Sequence, residues 1–256
     1  MDWNRVRYIA ICFFIGLFLL SYHAYSQNAN AIDSLIEMGD DMVDMEDYGA
    51  AEDKYDQALD INENSVPALK AKIRVLLLRE KYNRARRLAE NSLETHKDQP
   101  AFYLYLGEAS IGREHYEEAM DHLNDALEMA DEKDPKLLNR IYVNLGAAYQ
   151  KQNNFEEALN HYSKALSIDQ TNPNVFLYRG NLYYKREAYE DALADFKKVL
   201  ELDPNNHLAQ YNLGMCYFRQ GDKLNACDAF HNACEMGNKN ACRMVVSKCL
   251  RESQSQ

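Results

Sequence analysis

Five of the ten glycines, Gly39, Gly107, Gly146, Gly180 and Gly214, are each followed at constant distances by the same kinds of residue. Twelve residues on lies an alanine (Ala51, Ala119, Ala158, Ala192, Ala226), and four further a large side chain (Tyr55, Leu123, Tyr162, Phe196, Phe230). Three beyond that comes a small or modest one (Ala58, Ala126, Ala165, Val199, Ala233). With each glycine as position 8, units begin at Ile32, Val66, Pro100, Asn139, Pro173 and His207, spaced by 34, 34, 39, 34 and 34 residues. A unit this short cannot bury its apolar faces alone, so neighbours must stack into a one-dimensional array.

Within a unit the apolar residues at positions 4, 7, 8 and 11 form one helical stripe, and those at 20, 24 and 27 a second. Glycine at 8 and alanine at 20 let two antiparallel helices approach, and larger residues fill the seam. Tyr149, Tyr183 and Tyr217 hold position 11; Tyr48, Tyr82, Tyr116, Phe155 and Tyr189 hold position 17. These rings are packing residues first. Pro67, Pro100, Pro135, Pro173 and Pro204 fall at unit edges, where a helix starts or stops without losing an interior hydrogen bond. Ten glycines and five prolines are too few for the turns of a sandwich or barrel, and 46% apolar content is too high for disorder. The expectation is an all-α protein.

The Leu-Gly, Tyr, Ala, aromatic, Ala pattern on this period resembles the tetratricopeptide (TPR) family; YVNLGAAYQKQNNFEEALNHYSKALSIDQTNP, ending at Pro173, is a close match. The resemblance covers residues 32–238 and implies a right-handed solenoid of about six helix-turn-helix repeats. A capping helix over 239–251 and a tail, 252–256, follow. Two departures stand out. The second unit has Ile73 at position 8 and Ser92 at 27, which predicts a less regular hairpin. The longer third interval, around Ala130 to Pro135, predicts a longer loop or an extended helix and a bend, without a domain boundary.

In such a solenoid the first helices line a concave surface through positions 2, 5, 6, 9, 12 and 13. Units four to six place Arg140, Asn144, Lys151, Tyr178, Asn181, Tyr184, Lys185, Tyr211, Asn212, Phe218 and Arg219 there. Aromatic rings beside Asn and Arg have the composition of a peptide-binding surface, although Tyr184 and Phe218 also suit packing between adjacent first helices. Asn181 and Asn212 match the asparagines of the carboxylate clamp found in chaperone-binding members. However, Leu177, Cys242 and Val246 stand where the clamp needs basic residues, so no clamp is expected.

Residues 1–26 read as a secretory signal peptide. Arg5 and Arg7 precede twelve uninterrupted apolar residues, Ile9 to Leu20, and Ala24-Tyr25-Ser26 suits a cut before Gln27. Twelve is short for a bilayer span, which needs about 17–25 residues. An uncleaved anchor in the inner membrane is the alternative, and then the only membrane contact expected. The mature chain would carry 39 acidic and 27 basic residues, a balance unsuited to nucleic acid. Export would place the chain in the periplasm or elsewhere in the envelope, where disulfides persist.

Five cysteines remain beyond the signal. In an antiparallel hairpin, paired positions have a constant index sum; this sets Cys234 opposite Cys242 and Cys227 opposite Cys249, leaving Cys216 over. Ala233 to Cys242 also resembles cysteine-rich Sel-like repeats, in which cysteines at this spacing pair across the helix turn. Reduced cysteines packed as small hydrophobes are the alternative.

Chemistry is otherwise scarce. There is no phosphate loop, no His-Glu-x-x-His and no nucleophile elbow, and the scattered histidines make no ligand set. The expectation is no catalysis, cofactor or metal. Charge alternates along the array: Asp33 to Glu63 holds twelve acidic residues and one base, and Val66 to Gln99 nine basic and four acidic. Opposite signs on neighbours could assist stacking or let molecules meet head to tail. The function expected is a non-catalytic scaffold of the bacterial envelope that binds a protein or peptide; the alternative is a structural component assembling through repeat ends. Oligomeric state is left open.

Overall fold

A computed structural model describes residues 26–250; residues 1–25 of the signal-like segment 1–26, the last residue of the expected capping helix and the whole tail 252–256 lie outside the described residues. The described chain is helical throughout, with no strand: α1 (26–44), α2 (Tyr48–Ile61), α3 (Val66–Leu78), α4 (Tyr82–Thr95), α5 (Pro100–Gly112), α6 (Tyr116–Met129), α7 (Pro135–Lys151), α8 (Phe155–Ile168), α9 (Pro173–Lys185), α10 (Tyr189–Leu202), α11 (His207–Gln220), α12 (Lys223–Glu235) and α13 (Lys239–Met244), continued by a π-helical turn, Val245–Leu250.

Helix starts follow from local chemistry. Pro67, Pro100, Pro135 and Pro173 occupy first-turn positions, where their missing N–H costs nothing. Asp47, Asp134, Asn154, Asn172, Asn206, Asp222 and Asn238 cap helices by accepting first-turn N–H groups. The turn between the two helices of each repeat has one residue in the left-handed region, always at position 15: Glu46, Glu80, Glu114, Asn153, Glu187 and Gly221. Only the last of these is a glycine. The longer third interval goes mainly into an extended helix, because α7 has 17 residues where α5 and α9 have 13.

The spacing of glycines is a matter of ring size. A methyl group at Gly146 would lie 2.6 Å from the Tyr162 ring, at Gly180 2.8 Å from Phe196, and at Gly214 2.7 Å from Phe230. These rings are fully buried and cannot withdraw. The second repeat inverts the pair, with Ile73 at position 8 and Ala89 at position 24, both fully buried. Bulk has moved from one helix to the other, and α3 and α4 still meet less extensively than α7 with α8, α9 with α10 or α11 with α12, in line with the less regular hairpin expected of this unit.

The chain divides into two compact units, ending and beginning at Glu118 and Ala119. In the first, neighbouring repeats are joined by ion pairs of the signs their charge balance predicts. Glu52, buried on α2, meets Arg79, Lys81 (3.1 Å) and Arg84 (2.7 Å), and Asp40 meets Arg74 (2.7 Å) and the Tyr55 hydroxyl (2.7 Å). Burial alone would raise the Glu52 carboxyl; the cations hold it below its usual range.

In the second unit, Ala158, Tyr162, Val175, Leu182, Phe196 and Val199 are central to one continuous core, with Tyr149, Tyr183 and Tyr217 packed against it. A second cluster closes the C-terminal end around Phe230, Ala233, Ala241 and Val245. Gly237, with φ of +90°, turns the chain from α12 into α13. Across that turn Cys234 is bonded to Cys242 (Cα separation 4.7 Å) and Cys227 to Cys249 (5.7 Å); Cys216 is free and buried. The capping element expected as one helix is α-helical only to Met244, and its widening into a π turn falls between the two stapled cysteines.

Candidate partner-binding face

The eleven candidate residues lie on α7, α9 and α11, the first helices of the last three repeats, all within the second unit. Two hydrogen bonds join α9 to α11 across this face. The Asn212 amide donates to the Asn181 carbonyl oxygen (2.8 Å), and Arg219 Nε donates to the Tyr184 hydroxyl (3.2 Å). Both side chains of each bond have their polar tips on the shared face, so the bonds set the spacing of the helices and leave further hydrogen-bonding capacity there.

The other candidates divide by what they touch. Tyr178 is exposed (39%), its ring 5.8 Å from that of buried Tyr162, which fixes its direction. Lys185 holds its ammonium 5.0 Å from the centre of the Phe155 ring. Lys151 is exposed at the end of α7. Arg140 and Asn144 are half-buried, the Asn144 amide donating one turn back to the Arg140 carbonyl (2.8 Å). Tyr211 and Phe218, by contrast, pack into the C-terminal cluster. The Tyr211 ring lies 5.9 Å from Phe230, and Lys248 covers Phe218 at 5.7 Å. Leu177 is buried and Cys242 is in a disulfide, so the clamp positions carry no base here.

Sequence reading missed a partly buried ion pair that joins α9 to α10. Arg179 binds Asp195 through two hydrogen bonds (2.8 and 2.7 Å) and also donates to Ser163 (3.2 Å). Hydrogen bonding to Asp195 raises the Arg179 guanidinium, and burial raises the Asp195 carboxyl against the pull of Arg179. The available signal was reciprocal: in one repeat a cation stands at position 7 and an anion at position 23. His161, at position 23 of the preceding repeat, is buried with Nδ1 unpartnered and its ring stacked on Tyr149 at 5.3 Å. No cluster of three metal-ligating side chains occurs among the described residues.

Family models described as TPR repeat match residues 146–186 and 180–221, and models described as tetratricopeptide repeat match 70–135 and 208–235. The matches end at 235, so the likeness of Ala233 to Cys242 to Sel-like repeats stays a resemblance. No curated protein sequence matches significantly. Among solved structures, the chain is similar to pilF of Pseudomonas aeruginosa (TM-score 0.74, 18% identity, covering 87% of this chain and 99% of that one). It is also similar to YrrB, described as a TPR protein with an unusual peptide-binding site (0.58, 21%, 73% and 94%). A third likeness is to TTC0263 of Thermus thermophilus, a thermophilic TPR protein (0.62, 20%, 73% and 100%). TPR proteins bind protein or peptide partners and are typically non-catalytic scaffolds. With six in-phase repeats, matching family models over more than half its length and an all-helical repeat fold, the chain belongs to the tetratricopeptide repeat family.

Proposed function

We propose that this protein is a non-catalytic scaffold of the bacterial cell envelope that holds a segment of another protein on the face formed by α7, α9 and α11. The observation that carries this reading is exposed Tyr178 beside the Asn181–Asn212 pair: a rigid, half-free ring next to unsaturated amides, the mixture that anchors peptides. The envelope setting rests on the signal-like segment before Gln27, cleaved in the main reading or kept as an inner-membrane anchor in the alternative. Two disulfides suit an oxidising compartment. The test is photo-crosslinking in cells from probes at positions 178 and 181, with probes at convex Lys164 and Lys197 as controls. Partner adducts from the first pair alone are expected; adducts only from the controls would overturn the reading.

A second reading, assembly through repeat ends, is favoured by charge at the two ends of the described chain. The first helix exposes Asp33, Glu37, Asp41 and Asp44, and the last exposes Lys239, Arg243 and Lys248. Salt-sensitive oligomers in light scattering would support it, and a monomer at every concentration would reject it.

A further inference from the structure

The chain is acidic, with 40 acidic against 29 basic side chains, yet the face of α7, α9 and α11 is not. Positions 2, 5, 6, 9, 12 and 13 of these three helices make eighteen sites, and none carries Asp or Glu; at the chain-wide frequency of 40 in 256, about three would. Position 13 carries a cation in all three repeats: Lys151, Lys185 and Arg219. In the three preceding repeats that position is Asp44, Leu78 and Gly112, so the row of cations belongs to this face alone.

Cations of this unit fall into two groups, those paired with a carboxylate and those, such as Lys164 over Tyr142 and Lys197 over Tyr217, set against neutral groups. Arg179, Arg186 and Lys198 each pair with a carboxylate, of Asp195, Glu156 and Glu201 respectively. Lys151, Lys185 and Arg219 belong to the second group, with no ion pair among the described residues. Lys185 rests over the Phe155 ring and Arg219 is held by the Tyr184 hydroxyl, so both are positioned by neutral groups. Glu187 acts on Arg219 from the turn after α9, outside the eighteen sites. A row of cations at the helix ends, on the same helical face as Tyr178 and the Asn181–Asn212 amides about one to two turns away, complements an extended anionic chain, and like-charged segments are turned away.

We propose that this face selects an extended, acidic protein segment, whose recurring carboxylates meet Lys151, Lys185 and Arg219 while an apolar side chain covers Tyr178. The inference rests on the reading of this face as the partner site and adds the chemistry of the partner. It differs from the carboxylate clamp in using position 13 at the helix ends and in requiring no chain terminus.

The test is selection of a library of random extended peptides on the purified full-length chain, repeated with Lys151→Gln/Lys185→Gln/Arg219→Gln and with Tyr178→Ala. Circular dichroism melting checks that each variant stays folded. The expected result is a selected set rich in Asp and Glu that binds the triple variant about tenfold more weakly, as three exposed pairs would give. Binding should also weaken as salt is raised. Neutral or basic peptides that lose binding with Tyr178→Ala alone would overturn the acidic specificity and leave the face as the partner site. Peptides unaffected by either variant, or no selected peptide, would overturn both.

Discussion

At the residue scale, the repeat is held by volume. Position 8 is glycine where position 24 is a ring or leucine, and isoleucine where position 24 is alanine, because the two helices share one fixed space. Gly180→Ala is therefore expected to destabilise the protein by about 2 kcal/mol, and the added change Phe196→Leu to recover part of that, as measured by urea unfolding. The left-handed residue at position 15 is a different matter, since Glu187 holds φ of +61° where a side chain is disfavoured. Glu187→Gly should stabilise by about 0.5–1 kcal/mol in the same assay. His161 supplies a pH effect. Burial, and then the nearby charge of Lys164, lower the imidazole below its ordinary 6.5, opposed in part by Glu157. The unfolded chain then binds the proton first, so stability present above that value is lost as the pH falls through and below it. Stability should therefore decline as the pH is lowered through the ordinary histidine range, and His161→Phe should flatten that part of the pH–stability curve.

At the element scale, the stripes and caps that make the helices were legible in the sequence, because a 3.6-residue period and a first-turn Asp or Asn are local signals. Contacts between helices were less so. The opposite charges of the first two repeats were visible, but that Glu52 collects three cations depends on side chains from α3 to α4 converging on one point. The Arg179–Asp195 pair likewise required knowing that positions 7 and 23 of one repeat face each other. Truncating one partner leaves the other charge buried. Arg179→Leu is thus expected to cost about 3 kcal/mol, and Arg179→Leu/Asp195→Leu much less, in thermal or denaturant unfolding. Equal costs for both variants would show that the pair acts only through its packing.

At the scale of the whole molecule, an array has exposed ends, and the C-terminal end is stapled. The disulfides tie α13 and its π turn to α12, each with an expected contribution of about 2–4 kcal/mol. Reduction should lower hydrogen-exchange protection in α11 to α13 and leave α3 to α5, in the other compact unit, unchanged. Cys216 should stay unreactive in the folded state, because burial pushes its thiol up to about 12.

The sequence by itself determined the helical repeat, its phase, the number of units, the positions that could pair as disulfides and the set of eleven candidate residues. Those follow from spacing, which survives in one dimension. The tertiary structure alone decided which candidates are exposed and which are packed. Tyr178, Lys151, Lys185 and Arg219 present exposed side chains, while Tyr211 and Phe218 are drawn into the C-terminal cluster. Periodicity assigns a residue to a face of its helix, but its exposure is set by what the next helix places against it. That contact is made by residues distant in sequence.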